Sequence, residues 1–231
     1  MDLVKQFLQE NNIKLIVSEH VQPAREDTVF LLKNIHVTNK DKVLEIGVGC
    51  GLGTVFIGRK AKFYYGNDIN FQAVKNARDN CERNGVKNIT IQVGDCFEPF
   101  TNEKFDVIFS SPPQLPTPGY VNEEEWVEQA NNSGPDGRFL IDRIIQNVDM
   151  HLNPEGKLYL EHLSLSNIDK TLKVLKEKNF NARITNKMAK VMGTVSSARR
   201  DYIESILAGV IKSVDGQYVY ELAIIQATKD E

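Results

Sequence analysis

The sequence predicts a single α/β domain built on a mostly parallel sheet of seven strands with helices on both faces. Short apolar runs that end in glycine or aspartate alternate along the chain with stretches of helical periodicity, the pattern of successive βα units. Of the 231 residues, 41% are hydrophobic and 26% are charged, as in a globular domain that buries its own core. No apolar run reaches the length of a membrane span, so we expect no membrane partner.

The expected strands are runs of apolar, β-branched or aromatic residues bounded by glycine, proline or polar residues. They cover residues 42–46, 62–68, 88–93, 105–109, 157–160, 182–190 and 218–228. A helix follows each of the first two strands. The second of these helices is expected over 71–84, where Val74, Ala77 and Cys81 recur at helical spacing. Further helical segments are expected over 167–179 and 194–214.

Residues 1–40 are expected to form a short helical leader that packs on the main domain of residues 41–231. Amphipathic patterns predict helices over 2–11 and 26–35, with Pro23 between them. The three cysteines form no CxxC pair, and no signal-peptide pattern opens the sequence. We therefore expect reduced, buried thiols in a cytoplasmic protein.

The overall balance of charge decides little about function. The 28 Lys and Arg residues against 31 Asp and Glu residues give a net charge of −3, which argues against a surface that attracts nucleic acid as a whole. Basic residues are concentrated in one segment, because ten of them but only three acidic residues lie between Lys170 and Lys212. This basic segment is either a solvated face or a contact for an acidic or RNA-bearing partner, densest at Arg199 and Arg200.

A glycine-rich loop follows the first strand, with Gly47, Gly49 and Gly51 two residues apart after Glu45. Glycines let the backbone turn tightly and approach a ligand closely. The spacing excludes the dinucleotide fingerprint, which would require glycine at Leu52 or Thr54. It also excludes a P-loop, since no Gly-Lys-Ser/Thr triplet follows.

Three acidic residues end three successive strands: Glu45, Asp68 and Asp95. Taken singly, such residues are typical of helix caps, and a glycine loop is typical of a structural turn. Together they lie at the carboxyl ends of parallel strands, where open α/β sheets bind ligands. We therefore expect Asp68 to accept hydrogen bonds from the hydroxyl groups of a ribose.

A proline loop, defined as Ser111-Pro112-Pro113-Gln114, follows the fourth strand. Two successive prolines make the loop extended and rigid and remove two backbone donors. Its carbonyl oxygen atoms suit a substrate nitrogen, because they can accept hydrogen bonds from its N–H groups. The alternative is a rigid connector without a chemical role.

An acidic stretch lies farther along, at residues 123–126, and ends in the single tryptophan, Trp126. It predicts either a lid over an acceptor pocket or the acidic start of a helix.

The residues from Glu45 to Gly51 resemble the S-adenosylmethionine loop of class I methyltransferases. The proline loop resembles the Asn-Pro-Pro-Tyr loop of enzymes that methylate amino and amide groups. Within that class the chain is similar to the HemK-like family, which methylates glutamine N5 in release factors or ribosomal protein. Residues 21–28, 77–85 and 133–137 are similar to further segments of that family, and the resemblance covers roughly 21–163.

The resemblance implies a Rossmann-like methyltransferase domain over 41–231 that uses S-adenosylmethionine and no metal. It implies a cofactor site made by Glu45, Gly47, Gly49, Cys50, Gly51, Asp68, Ile69, Asp95, Cys96, Phe97 and Ser111. It implies catalytic roles for Ser111, Pro112, Pro113 and Gln114. The expected reaction is methyl transfer to an amide or amino nitrogen of a protein or small molecule.

The proline loop departs from the family pattern at two positions. Ser111 stands where asparagine is usual, and Gln114 stands where an aromatic residue would stack on a planar acceptor. Two alternatives therefore stay open. One is an amino-methyltransferase of nucleobases in RNA or DNA, and the other is an idle scaffold that binds the cofactor without catalysis.

Overall fold

Eight strands form one sheet in the computed structural model, which describes residues 2–119 and 133–229. The strands are β1 Lys42–Ile46, β2 Phe63–Asp68, β3 Ile89–Val93, β4 Phe105–Ser110, β5 Leu152–Leu163, β6 Phe180–Val191, β7 Lys212–Val214 and β8 Gln217–Lys229. Each of the seven expected strands is present, and β7 is additional.

The helices of the described residues flank this sheet. They are α1 Leu3–Glu10, α2 Glu26–Lys33, α3 Leu52–Gly58, α4 Phe71–Arg83, α5 Phe139–His151, α6 Ile168–Glu177, α7 Thr194–Ala198 and α8 Arg200–Ile206. Two short 3₁₀ turns lie at Glu98–Phe100 and Ser164–Ser166. None of these helices combines the length and apolar character needed to cross a membrane.

The strand order explains where a ligand can bind. Along the sheet the order is β3-β2-β1-β4-β5-β8-β6, and β7 pairs with β8. The first five strands are mutually parallel, whereas β8 runs antiparallel to both β5 and β6. The chain proceeds outward from β1 in one direction and from β4 in the other. The crevice at the carboxyl ends of β1 and β4 is therefore the switch point at which such sheets bind ligands.

Alternate residues of each central strand enter two separate apolar cores. Val43 and Val107 pack with α1 to α4 on one face of the sheet. Leu44 and Ile108 pack with α5 and α6 on the other. Because side chains alternate along a strand, a strand covered on both faces has consecutive apolar residues, as in Val43-Leu44 of β1 and Val107-Ile108-Phe109 of β4.

The leader lies against α3 and α4. The ring of Phe7 packs on that of Phe56 with 4.8 Å between centroids. Asparagine side chains on one face of α4 and at its C-cap accept hydrogen bonds from alternate backbone amides of the leader: Asn84 from Lys14 at 2.9 Å, Asn80 from Ile16 at 3.0 Å and Asn76 from Ser18 at 2.7 Å. We call these three residues the asparagine ladder. It holds residues 14–18 along the helix and so leads the chain to the crevice.

The expected helix over 194–214 is wrong. In its place the structure has α7, α8 and then β7, the strand that was not predicted. The carboxylate of Glu204 accepts hydrogen bonds from the backbone of Gly209 at 2.9 Å and of Ile211 at 3.0 Å, and Gly209 has a positive φ of 79°. These features end the helical path, because a left-handed residue cannot continue a right-handed helix.

Helix α5 was not predicted, although Ile141, Ile144, Ile145 and Val148 form a buried stripe at helical spacing. The acidic stretch at residues 123–126, a candidate lid, lies outside the described residues.

Candidate active site

A cavity of about 1160 Å³ lies at the carboxyl ends of β1, β2 and β4. Ligand pockets usually measure about 300 to 1,000 Å³, so this one has room for a cofactor and part of an acceptor. The sequence-predicted residues that line it are Glu45, Gly47, Gly49, Cys50, Asp68, Ile69, Asp95, Cys96, Ser111, Pro112, Pro113 and Gln114. The glycine loop and the proline loop are thus brought together, as expected from their strand ends.

The glycines of the loop serve two purposes. Gly47 and Gly49 have φ angles of 84° and 49°, and a Cβ at either position would meet nothing within 4 Å. Their backbone therefore borders open space that a ligand can fill. At Gly51, with φ of 83°, a Cβ would lie 2.7 Å from the Cα of Ala77. Gly51 does not line the cavity, and its absent side chain allows the loop to pack against α4.

Asp68 joins the glycine loop to the start of α4. One of its carboxylate oxygens accepts from the backbone amide of Gly49 at 3.0 Å, and the other from that of Asn70 at 2.9 Å. A carboxylate offers about four lone-pair sites, so further hydrogen bonds remain possible. Burial raises the pKa of Asp68, and the two backbone hydrogen bonds oppose that shift.

Glu45 lies beneath the glycine loop and is bound by the protein itself. Its carboxylate accepts from the Thr54 hydroxyl at 3.0 Å and from the Tyr64 hydroxyl. Burial raises its pKa to about 8. A Cβ at Gly53 would collide with this carboxylate, which accounts for a glycine inside α3. The geometry therefore favours support of the loop by Glu45 through these contacts.

The end of β3 forms a further wall of the cavity. Asp95 pairs with Arg143 of α5 at 2.5 Å. The amide nitrogen of Asn67 donates to the carbonyls of Gly94 and Cys96, each at 2.9 Å. Its amide oxygen is buried and has no hydrogen-bond partner among the described residues. Sequence reasoning did not select Asn67, although it stands directly before Asp68 at the strand end.

Phe97 does not belong to this wall, contrary to the expectation that it contacts the cofactor. Its ring stacks on that of His151 with 4.3 Å between centroids and 1° between planes. Cys96 has a positive φ of 48°, and Phe97 beyond it is buried in the core on the α5 face of the sheet.

The cysteines lie inside the protein, as expected. Cys50, Cys81 and Cys96 are free and buried. Burial raises the pKa of the Cys96 thiol to about 11 and that of Cys81 to about 12, so both are protonated at neutral pH. Among the described residues, no cluster of His, Cys, Asp or Glu is arranged to hold a metal ion.

Gln114 fastens the proline loop to β5. Its amide oxygen accepts from the backbone of Leu163 at 2.6 Å, and its amide nitrogen donates to the carbonyl of Glu161 at 3.3 Å. The backbone carbonyl of Gln114 accepts a hydrogen bond from the Ser166 hydroxyl. The side chain thus takes the place of a strand backbone beside β5. This geometry favours an anchoring role over the orientation of an acceptor.

We expect Gln114→Ala to lower the free energy of unfolding by about 1 to 3 kcal/mol, since it leaves the part-buried amide of Leu163 and the buried carbonyl of Glu161 without partners. Urea denaturation measures the change, and Gln72→Ala at an exposed position of α4 is the matched control. An unchanged stability together with a raised KM would instead show that Gln114 contacts the acceptor.

Glu161 is a cavity residue that sequence reasoning missed. It lies in β5 and is 3% exposed, and its carboxylate accepts from the Ser111 hydroxyl at 2.8 Å. Burial raises its pKa to about 8, and the charge of Asp27 acts in the same direction. Near it, Asp27 pairs with Lys190 at 2.6 Å. The sequence marks it only as an acidic residue directly after the apolar run 158–160, which does not identify its partner.

The basic segment is largely compensated by nearby carboxylates. Within the described part of the chain, six of its ten basic residues lie within 4 Å of an acidic oxygen: Lys170, Lys173, Lys178, Lys187, Lys190 and Arg200. Arg199 donates to the hydroxyl of Thr117 at 2.8 Å. These pairings favour the solvated face, and an acidic partner at this segment stays a prediction.

Comparison with known proteins agrees with this geometry. The methyltransferase domain family model matches residues 37–225. The chain is 38% identical over 184 residues to a Methanocaldococcus jannaschii protein named as a candidate protein N5-glutamine methyltransferase, covering 79% of this chain and 92% of that one. It is 31% identical over 165 residues to the release factor glutamine methyltransferase of Thermodesulfovibrio yellowstonii, covering 65% of this chain and 58% of that enzyme.

Among solved structures, the YcgJ protein of Bacillus subtilis matches with a TM-score of 0.62 at 15% identity. The match covers 89% of this chain and 98% of that one. At this identity the likeness shows the fold, and it confirms the predicted α/β class.

Proposed function

The chain belongs to the methyltransferase domain family, in its HemK-like branch, and on that premise we propose that it methylates the side-chain amide of a glutamine in a protein, with S-adenosylmethionine as donor. The observation that carries the proposal is that the glycine loop and the proline loop line one cavity. The first borders space for a nucleoside-bearing cofactor, and the second offers acceptors to a nitrogen.

The residues of the cavity fit the cofactor. Gly47 and Gly49 leave open space where side chains would stand, and the buried amide oxygen of Asn67 lacks a partner among the described residues. Asp68 retains lone pairs for two ribose hydroxyls, and Asp95 and Cys96 form the wall that would face the adenine. When bound, S-adenosylmethionine supplies a methyl group that its sulfonium already activates.

The proline loop accounts for the choice of nitrogen. The hydroxyl of Ser111 and the backbone carbonyls around Pro112 can accept hydrogen bonds from the two N–H groups of a primary amide. Held in this way, the nitrogen turns its lone pair toward the methyl group, and the same oxygens stabilise positive charge as it develops. Pro112 and Pro113 have no backbone N–H groups, so the loop presents no competing donor at these two positions.

The relatives support a protein acceptor. The two curated relatives carry the names of glutamine methyltransferases, one of protein and one of release factors. Gln114 has no ring on which a nucleobase could stack, and its side-chain amide is already hydrogen-bonded to β5. A nucleobase acceptor and an idle scaffold are the outcomes that would contradict the proposal.

Incubation of the pure chain with methyl-labelled S-adenosylmethionine and a release factor from the same organism tests the function. We expect label in the protein fraction, and peptide mass spectrometry should locate one methyl group on a glutamine. The matched control is the same release factor with that glutamine replaced by alanine. Label in RNA or DNA alone would favour the nucleobase alternative, and absence of transfer to any fraction would favour the scaffold.

A further inference from the structure

The first residue of the proline loop raises a chemical difficulty. The side-chain oxygen of asparagine carries no hydrogen, so it meets an N–H donor with lone pairs only. Ser111 has a hydroxyl whose hydrogen rotates freely unless something holds it. Turned toward the substrate, that hydrogen would compete for the nitrogen lone pair. A serine at this position therefore needs a partner that accepts its hydrogen.

The sheet supplies that partner through its register. Strands β4 and β5 are parallel, and Ser110 is paired with Leu160. The next residues along the two strands are Ser111 and Glu161, which the register therefore sets side by side at the cavity. The Ser111 hydroxyl donates to the Glu161 carboxylate at 2.8 Å. An ionised carboxylate only accepts hydrogen bonds, so it fixes the direction of the hydroxyl hydrogen.

We infer that Glu161 is a positioning residue that holds the hydrogen of the Ser111 hydroxyl away from the substrate, so that Ser111 presents lone pairs to the acceptor nitrogen as an asparagine oxygen would. This inference rests on the proposed function and deepens it. The pair Ser111 and Glu161 together replaces the single asparagine of related loops.

The burial of Glu161 is energetically unfavourable. Its carboxyl group is buried, and burial of an ionised carboxylate is unfavourable unless other groups compensate for it. The nearby cation of Lys190 is shared, because it forms a 2.6 Å ion pair with Asp27. A role in the orientation of Ser111 explains why an acidic residue occupies this place in the strand.

The titratable and charged neighbours of Glu161 come from several elements. Asp27 and Arg25 belong to the leader side, Lys190 to β6 and Tyr220 to β8. Burial and the charge of Asp27 raise the pKa of Glu161 to about 8, while Ser111, Lys190 and Arg25 act in the lowering direction. The protonated carboxyl can donate to Ser111 and release the hydroxyl hydrogen toward the substrate. We therefore expect kcat to rise with pH through the region of about 8.

The first test compares Glu161→Gln with wild type at saturating cofactor. We expect kcat to fall about 10- to 100-fold, because the fixed, charge-assisted hydrogen bond is lost, and the rise of kcat near pH 8 to disappear. The Kd for S-adenosylmethionine should stay within about twofold. Glu177→Gln removes an exposed carboxylate of α6 and is the matched control.

The decisive test repeats the change in a Ser111→Asn background. Asparagine brings its own oxygen without a hydrogen, so Glu161→Gln should cost less than about twofold there. Thermal unfolding of all four proteins shows whether each one folds. Equal losses of kcat in both backgrounds, or no loss in the wild-type background, would overturn the role of Glu161.

The two proposals fail in different ways. If wild type methylates a nucleobase and no protein glutamine, the proposed function fails, while the same four proteins still test Glu161 on that nitrogen. If wild type methylates no nitrogen at all, both are overturned.

Discussion

Replacement of Asp68 by alanine is expected to weaken the binding of S-adenosylmethionine by about 10- to 150-fold, which corresponds to roughly 1.5 to 3 kcal/mol for a lost charged acceptor. The variant loses the acceptor for the ribose hydroxyls. It also loses the hydrogen bonds to the backbone of Gly49 and Asn70, so the glycine loop is held less firmly. Titration calorimetry measures the dissociation constant directly.

Two further variants separate the causes. Asp79→Ala removes an exposed carboxylate of α4 that does not line the cavity, and its affinity should equal that of wild type. Asp68→Asn keeps an oxygen for one backbone amide but lacks the charge, so its affinity should lie between those of alanine and wild type. An unchanged dissociation constant in a folded Asp68→Ala protein would remove this residue from the site.

Replacement of Arg138 by leucine is expected to lower the free energy of unfolding by about 3 to 5 kcal/mol. The guanidinium is 1% exposed and donates to Asp142 at 2.6 Å, to the carbonyls of Ser166 and Asn167, and to the Thr171 hydroxyl at 2.9 Å. Leucine leaves these acceptors without their donor. Urea denaturation followed by circular dichroism measures the loss.

Arg183→Leu is the control for Arg138→Leu, because Arg183 is exposed on β6 and its replacement should change stability by less than about 0.5 kcal/mol. The carbonyl of Ser166 is bound by Arg138, and its hydroxyl is bound to Gln114. Arg138→Leu and Gln114→Ala therefore act on one hydrogen-bond network. Equal stabilities of Arg138→Leu and wild type would mean that water replaces the guanidinium without cost.

The central strands β1 and β4 were predicted well because they are buried on both faces and therefore stand out as short apolar runs. The same reasoning placed Gly47, Asp68 and Ser111 at one edge of the sheet, since each follows the end of a parallel strand. Prediction was wrong over 194–214, where apolar residues recur at helical spacing. Local pattern could not show that Glu204 ends the helix by binding the backbone beyond it.

Glu161 could not be found from the sequence for a different reason. Its partner Ser111 is 50 residues away, and their contact depends on the register between β4 and β5. A strand pattern shows which residues are buried but not which residue of another strand lies beside them. The anchoring of Gln114 on β5 was hidden for the same reason.

The asparagine ladder has a length set by two unequal repeats. Two residues of extended chain advance about 6.4 to 6.8 Å, whereas four residues of α-helix advance about 6.0 Å. Contacts at residues 14, 16 and 18 with Asn84, Asn80 and Asn76 therefore fall out of step by roughly half an ångström per repeat. Hydrogen bonds tolerate a spread of about that size, so only a few rungs can form before the mismatch exceeds it. The difference between the two periods therefore allows an extended segment to lie along a helix over one short stretch only, and in one register.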